Sequence, residues 1–134
     1  MRIIHGRPDG PVSERRGDTF SGTVYADPVL PATEGVTISA VFFTPAARTF
    51  WHRHERGQVL HVLLGSGWVC AQGGQPHRIR AGDTVWVRPG ETHWHGGGPT
   101  TVMSHLAISL GRTEWFDEVP EADYDTATAN RAGA

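Results

Sequence analysis

Cysteine is almost absent from the 134 residues: Cys70 stands alone, which excludes an internal disulfide framework. No apolar core of signal-peptide length occurs in residues 1–10, and the longest apolar stretch, 59–64, is interrupted by His61 and too short to span a bilayer. A reducing, cytoplasmic setting without a membrane role is therefore expected. Charge of one sign is also missing. Twelve Lys+Arg against 14 Asp+Glu give a formal charge of −2, with no basic stripe to follow a phosphate backbone, so nucleic acid is not an expected partner. Long amphipathic helical runs are lacking as well. Gly (17) and Pro (9) are instead plentiful, and short Val/Ile/Thr/Trp-rich stretches recur between turn signals, which indicates an all-β chain. A chain of this length can bury roughly two-thirds of its unfolded surface as one domain, and no internal repeat suggests a solenoid or propeller.

Residues 1–19 are polar and broken by Pro8, Gly10, Pro11 and Gly17, and they read as an N-terminal arm. Strands are expected at 21–26, 37–43, 48–54, 58–64, 67–71, 77–80, 84–87, 92–96 and 101–110, the spacing of a sandwich or barrel spanning about 20–111. Gly65-Ser66-Gly67 and Gly73-Gly74 have the chemistry of hairpin turns and Pro89-Gly90 that of a tight reversal, so antiparallel pairing is expected. In the tail, 112–134, two helical turns at 113–118 and 121–124 are expected on either side of Pro120, closing one barrel end, and 125–134 reads as frayed.

The eight histidines are unevenly spread, with His52 and His54 in one strand and His93 and His95 in another. Residues two apart in a strand share a face, so each pair projects one way while Arg53 and Trp94 project the other. Two neighbouring strands could then aim four imidazoles at one point. Around these pairs stands a frame: His52-Arg53-His54, Gln58 and Gly65, then Gly82, Pro89-Gly90 and His93.

That frame resembles the cupin superfamily, whose first motif orders Gly, His-x-His, Glu and Gly and whose second orders Gly, Pro-x-Gly and His. The resemblance covers approximately residues 35–110, with three departures: Gln58 stands where Glu is usual, Arg88 where Pro is usual and Ala46 where the leading Gly is usual. It implies a single-domain cupin, a double-stranded β-helix or jelly-roll barrel, with one divalent metal ion held by His52, His54, Gln58 and His93. Three neutral imidazoles and an amide oxygen leave the ion its full charge, which strengthens it as a Lewis acid. Four protein ligands on an octahedral ion also leave positions open for substrate.

A narrower resemblance is to the small cupins with manganese-dependent hydroxynitrile lyase activity. It rests on Ala47-Arg48-Thr49, Trp51-His52, Gly57-Gln58, Gly67-Trp68, Gly90-Glu91 with His93-Trp94-His95-Gly96, Pro99-Thr100-Thr101, and Met103 through His105-Leu106-Ala107-Ile108. Those lyases also carry Gln at the fourth ligand position. The implied reaction is cyanohydrin cleavage or synthesis, with the metal as Lewis acid. Manganese is the implied ion, while ligand type alone also admits iron, nickel or zinc. His95, on the face of His93, is expected as general acid or base, with His105 as a weaker catalytic candidate and Ser39, Val41 and Ser109 along the substrate pocket, Val41 reading equally well as plain core. The alternatives are an oxygen-dependent cupin dioxygenase and a non-catalytic small-ligand or metal-binding barrel. A small-molecule substrate and a homodimer or homotetramer complete the expectation, the latter covering apolar outer residues such as Val59, His61 and Leu63. His5, His61 and His77 are assigned no catalysis. Cys70 reads as a small buried side chain, and Trp68, Trp86 and Trp94 read as packing residues.

Overall fold

Alternation of apolar and polar residues, with β-branched and aromatic side chains on one face, lays this chain out as strands. The computed structural model describes residues 1–6 and 13–129, in which there are twelve strands and one helix. The strands are β1 (Glu14–Arg16), β2 (Phe20–Ser21), β3 (Val24–Thr33), β4 (Val36–Phe43), β5 (Arg48–Thr49), β6 (His52–His54), β7 (Gln58–Ala71), β8 (Pro76–Arg80), β9 (Thr84–Val87), β10 (His93–Gly97), β11 (Met103–Leu110) and β12 (Thr113–Trp115), followed by α1 (Glu121–Thr128). All pair antiparallel. One sheet runs β1-β3-β4-β11-β7-β9; the other runs β2-β5-β10-β7-β8, with β6 between β10 and β12. The nearly closed double sheet is the expected all-β jelly-roll barrel.

The long strand β7 joins the two sheets. Its first half pairs with β11 and β9, its second with β10 and β8. The expected hairpin at Gly65-Ser66-Gly67 is therefore absent, and the segments 58–64 and 67–71 form one strand. These glycines serve close approach instead. A Cβ at Gly65 would collide with the Val102 carbonyl oxygen and one at Gly67 with that of Gly96, so only glycine lets β7 pass from one sheet to the other. By contrast, Gly73, at φ 75°, does sit in the β7–β8 hairpin.

Other boundaries also moved. The arm contributes β1, which pairs with β3; residues 7–12 of the arm lie outside the described part. Strand β3 continues through Pro28 and Pro31, where β1 no longer pairs and the register with β4 shifts, so the missing N–H groups leave no gap in a two-sided ladder. The expected strand 48–54 is split in two, because Phe50 N–H turns to the Thr19 carbonyl and Trp51 N–H to that of Asp117.

Most of the barrel core is Val24, Val41, Phe43, Leu60, Val62, Val69, Ile79 and Met103. Trp68, Cys70 and Trp94 point to the opposite side of the second sheet, where Val119 and Tyr124 cover them. The C-terminal segment thus packs on the back of the metal-site sheet, where closure of a barrel end was expected. Two buried polar groups fasten it. Arg48 donates from Nε and Nη2 to the Val119 carbonyl at 3.1 and 2.8 Å, and the Tyr124 hydroxyl donates to that of Gly97 at 2.7 Å. This anchoring carries α1 through Thr128, past the point where fraying was expected, although residues 130–134 lie outside the described part. Where a helical turn was expected at 113–118, the chain forms β12, because β6 presents it with an unpaired edge. Trp68 and Trp94 are buried as packing residues, whereas Trp86 is 55% exposed, which leaves it the alternative of walling an interface between copies. Cys70 is buried and unpaired in a disulfide, and burial raises its thiol pKa.

Candidate metal centre

Register decides the site. His93 on β10 lies directly opposite His52 on β6, and alternation along each strand puts His54 and His95 on the same inner face. Ring centroids are 4.3 Å apart for His52 and His93, 5.0 Å for His52 and His54, 5.2 Å for His52 and His95, and 5.5 Å for His93 and His95. Gln58, the first residue of β7, reaches the same point, its Oε1 3.0 Å from His93 Nε2. All five side chains are buried.

Each ring is held by its other nitrogen. The His52 Nδ1–H donates to the Phe50 carbonyl at 2.9 Å and the His93 Nδ1–H to that of Glu91 at 3.0 Å, which leaves both Nε2 lone pairs facing inward. His54 Nδ1 meets Thr113 Oγ1 at 3.0 Å, and His95 Nδ1 meets His105 Nε2 at 3.0 Å. Gln58 donates its amide Nε2–H to Ser109 Oγ at 3.0 Å, turning Oε1 toward the imidazoles. Because His93 Nδ1 carries the hydrogen, its Nε2 and Gln58 Oε1 are two acceptors facing each other, while His54 Nε2 and His95 Nε2 are buried without any hydrogen-bond partner. Converging lone pairs with no donor between them are what a divalent cation neutralises, so the residues fit a metal.

Electrostatics agree. Burial, then the neighbouring His93, lowers His54 to a pKa of about 4, and burial lowers His105 to about 4. Burial also holds His93 below its ordinary value and pushes His52 and His95 well below it, with repulsion from adjacent imidazoles adding to the last two. Every ring is thus neutral at physiological pH, the form that ligates metal.

Among the described residues, the histidine nitrogens that all come within 4.8 Å of one another are those of His52, His93 and His95. His95, expected as acid or base, therefore stands inside the trio that could hold a metal ion, with His54 and Gln58 beside it. His105 does lie next to the site, under Phe43 at a centroid distance of 5.3 Å. Ser109 touches Gln58 and Ser39 lies on the inner face of β4, whereas Val41 packs in the barrel core. His61 is on the outer face against Thr84 Oγ1 at 2.8 Å, away from the cluster. Sequence reading missed Thr113 and Trp115, whose indole stacks on the His52 ring at 4.5 Å and 29°. The available signal was the strand preference of Thr113 and Trp115 on either side of Glu114, obscured by the acidic residues after it. Thr49 was also missed; its hydroxyl accepts the His95 backbone N–H at 3.2 Å.

Known proteins place this arrangement. Residues 41–107 match the cupin domain family. The chain is 44% identical over 113 residues to the (R)-mandelonitrile lyase of Granulicella tundricola, covering 80% of this chain and 86% of that protein. A cupin-like protein from Thermotoga maritima superposes with a TM-score of 0.83 at 32% identity, covering 88% of this chain and 97% of that one. A polyketide cyclase from Streptomyces resistomycificus superposes at 0.70 with 19% identity, covering 93% and 91%, and attests the barrel alone. With the two histidine strands, the joining strand β7 and these relatives taken together, the chain belongs to the cupin family.

Proposed function

We propose that this protein is a metal-dependent hydroxynitrile lyase, cleaving a cyanohydrin to a carbonyl compound and hydrogen cyanide, or running the reverse addition. The observation that carries the reading is the His95–His105 imidazole pair set against the donor cluster, in a chain 44% identical to a mandelonitrile lyase. A divalent ion held by His52, His54, Gln58 and His93 would supply Lewis-acid polarisation at the substrate oxygen. Manganese is assigned on the family resemblance alone, since nitrogen-rich ligation by itself favours later metals.

The remaining steps belong to the chain. His95 Nε2, buried and without a partner, takes the hydroxyl proton. The carbon–cyanide bond breaks with its electron pair leaving on cyanide, the carbonyl forms, and the proton is returned to cyanide. His95 differs from His52 and His93 in that its Nδ1 meets an imidazole where theirs donate to backbone carbonyls. With its Nδ1–H donated to His105 Nε2, the His95 ring is held with its Nε2 lone pair free to accept the hydroxyl proton. Phe43, T-shaped to His95 at 5.8 Å, keeps that side of the pair dry.

Under anaerobic conditions the Mn²⁺-loaded protein is expected to release benzaldehyde from racemic mandelonitrile faster than blank and faster than a chelated sample. Release that ignores chelation rejects the role of the metal, and no release from fully loaded protein rejects the lyase assignment.

Self-association belongs to the same proposal. Leu30, Ile38, Ile108, Val59 and Trp86 are successive cross-strand partners, an apolar row running across the outer face of the first sheet. A second copy covering that row fits the small barrel. Sedimentation equilibrium at micromolar concentration is expected to give a dimer or tetramer, and a monomer would remove this part.

A further inference from the structure

The cupin match ends at residue 107, yet the metal centre draws on a strand beyond it. Strand β12 pairs with β6 in the register Thr113↔His54, Glu114↔Arg53, Trp115↔His52, so it lies alongside both ring-bearing residues. That register is held from outside by the Arg53 guanidinium, which donates from Nε and Nη2 to one Glu114 carboxylate oxygen at 3.1 and 2.9 Å. On the inner side Trp115 stacks on His52, and Thr113 Oγ1 sits 3.0 Å from His54 Nδ1.

We propose that Thr113 is a positioning residue of the metal centre, its hydroxyl accepting the His54 Nδ1–H and so keeping the His54 Nε2 lone pair pointed at the ion. This inference rests on the metal-centre reading above and is independent of the lyase assignment. His54 needs such a partner more than its neighbours do. His52 and His93 reach the backbone carbonyls of Phe50 and Glu91, each two residues earlier in the chain, which accept only and so dictate the tautomer. His54 has no carbonyl partner, and its Nε2 is buried without a hydrogen-bond partner. In the other tautomer the Nε2–H would project among the inward-facing acceptors, Gln58 among them, and a nitrogen so protonated cannot ligate. With Thr113 as acceptor, the ring hydrogens of His52, His54 and His93 are all spent outward and their Nε2 atoms converge.

The size of the effect follows from exposure. Outer-shell partners of metal-binding histidines are typically worth roughly ten- to a hundredfold in metal affinity. Thr113 lies on the exposed rim, where water can partly replace its hydroxyl, so the lower end applies.

The test is Mn²⁺ binding to the full chain, read from the electron paramagnetic resonance signal of the free ion. Thr113→Val keeps the shape and the strand preference but loses the acceptor, and is expected to weaken binding by roughly tenfold. Thr113→Ser is expected to restore it to within about twofold of wild type. Should Thr113→Val fail to fold by circular dichroism, Thr113→Ala carries the same comparison. Wild-type affinity in the Val or Ala variant overturns the proposal, as does a Ser variant as weak as Val. A wild-type protein that binds no Mn²⁺ sinks the metal-centre reading and this one together, whereas a protein that binds Mn²⁺ yet cleaves no cyanohydrin sinks only the lyase assignment.

Discussion

Cyanohydrin cleavage is expected to fall by roughly a hundred- to ten-thousandfold in His95→Ala, the range typical of losing a positioned general acid or base. The ion should stay, because His52, His54, His93 and Gln58 retain their inward-facing atoms and, for the first three, partners at Nδ1 that do not involve His95. The two readouts therefore separate. Loss of turnover with Mn²⁺ still bound assigns His95 to proton transfer. Loss of both means that the trio of His52, His93 and His95 is the ligand set and that His95 acts as a ligand. Undiminished turnover rejects His95 in either role. His105 sharpens the experiment, since it touches the site only through His95 Nδ1. His105→Phe keeps the bulk, removes the proton acceptor, and is expected to lower turnover with less effect on Mn²⁺ affinity.

The second large effect is on stability. Without metal, the protein is expected to lose several kcal/mol as the pH falls from about 7 to about 5, because buried neutral imidazoles must charge. The sign follows from the direction of the shifts. His54 and His105 have folded pKa values of about 4 against an ordinary 6.5. Between those values the unfolded chain binds more protons, so stability rises with pH and is lost on acidification. Each group accounts for roughly 3 kcal/mol over the whole interval and roughly 2 kcal/mol by pH 5. His52, His93 and His95, also shifted down, act in the same direction. The carboxylates titrate mostly below this window. The melting temperature in excess chelator should accordingly drop by roughly 10–20 °C. A flat profile between pH 7 and pH 5 would mean that these rings are hydrated and not sealed in the barrel.

Both expectations depend on features of different legibility. The pairing of His52 with His54 and of His93 with His95 was readable because side-chain alternation along a strand is local. Family resemblance added Gln58 to that set, and in the structure its Oε1 stands 3.0 Å from His93 Nε2. Turn chemistry was readable where it is local too, as at Gly73. It misled at Gly65 and Gly67, since a glycine that permits a turn looks the same in sequence as one that admits a neighbouring backbone.

Longer-range choices could not be read. Residues 113–118 have the acidic start of a helix, but a strand edge on β6 outweighs local preference, and that edge exists only once β10 has paired with the other side of β6. The length of α1 was set in the same way, by Trp94, which became available for cover because His93 and His95 face inward.

By itself, then, the sequence determined an all-β chain with two histidine-bearing strands, because strand alternation is a property of neighbouring residues, while the metal-binding barrel and Gln58 as a ligand were what the cupin resemblance implied. Tertiary structure alone decided that His52 faces His93, that His105 backs His95, and that Thr113 backs His54, because each of those contacts joins strands distant in sequence whose register is set by the packing of the whole barrel.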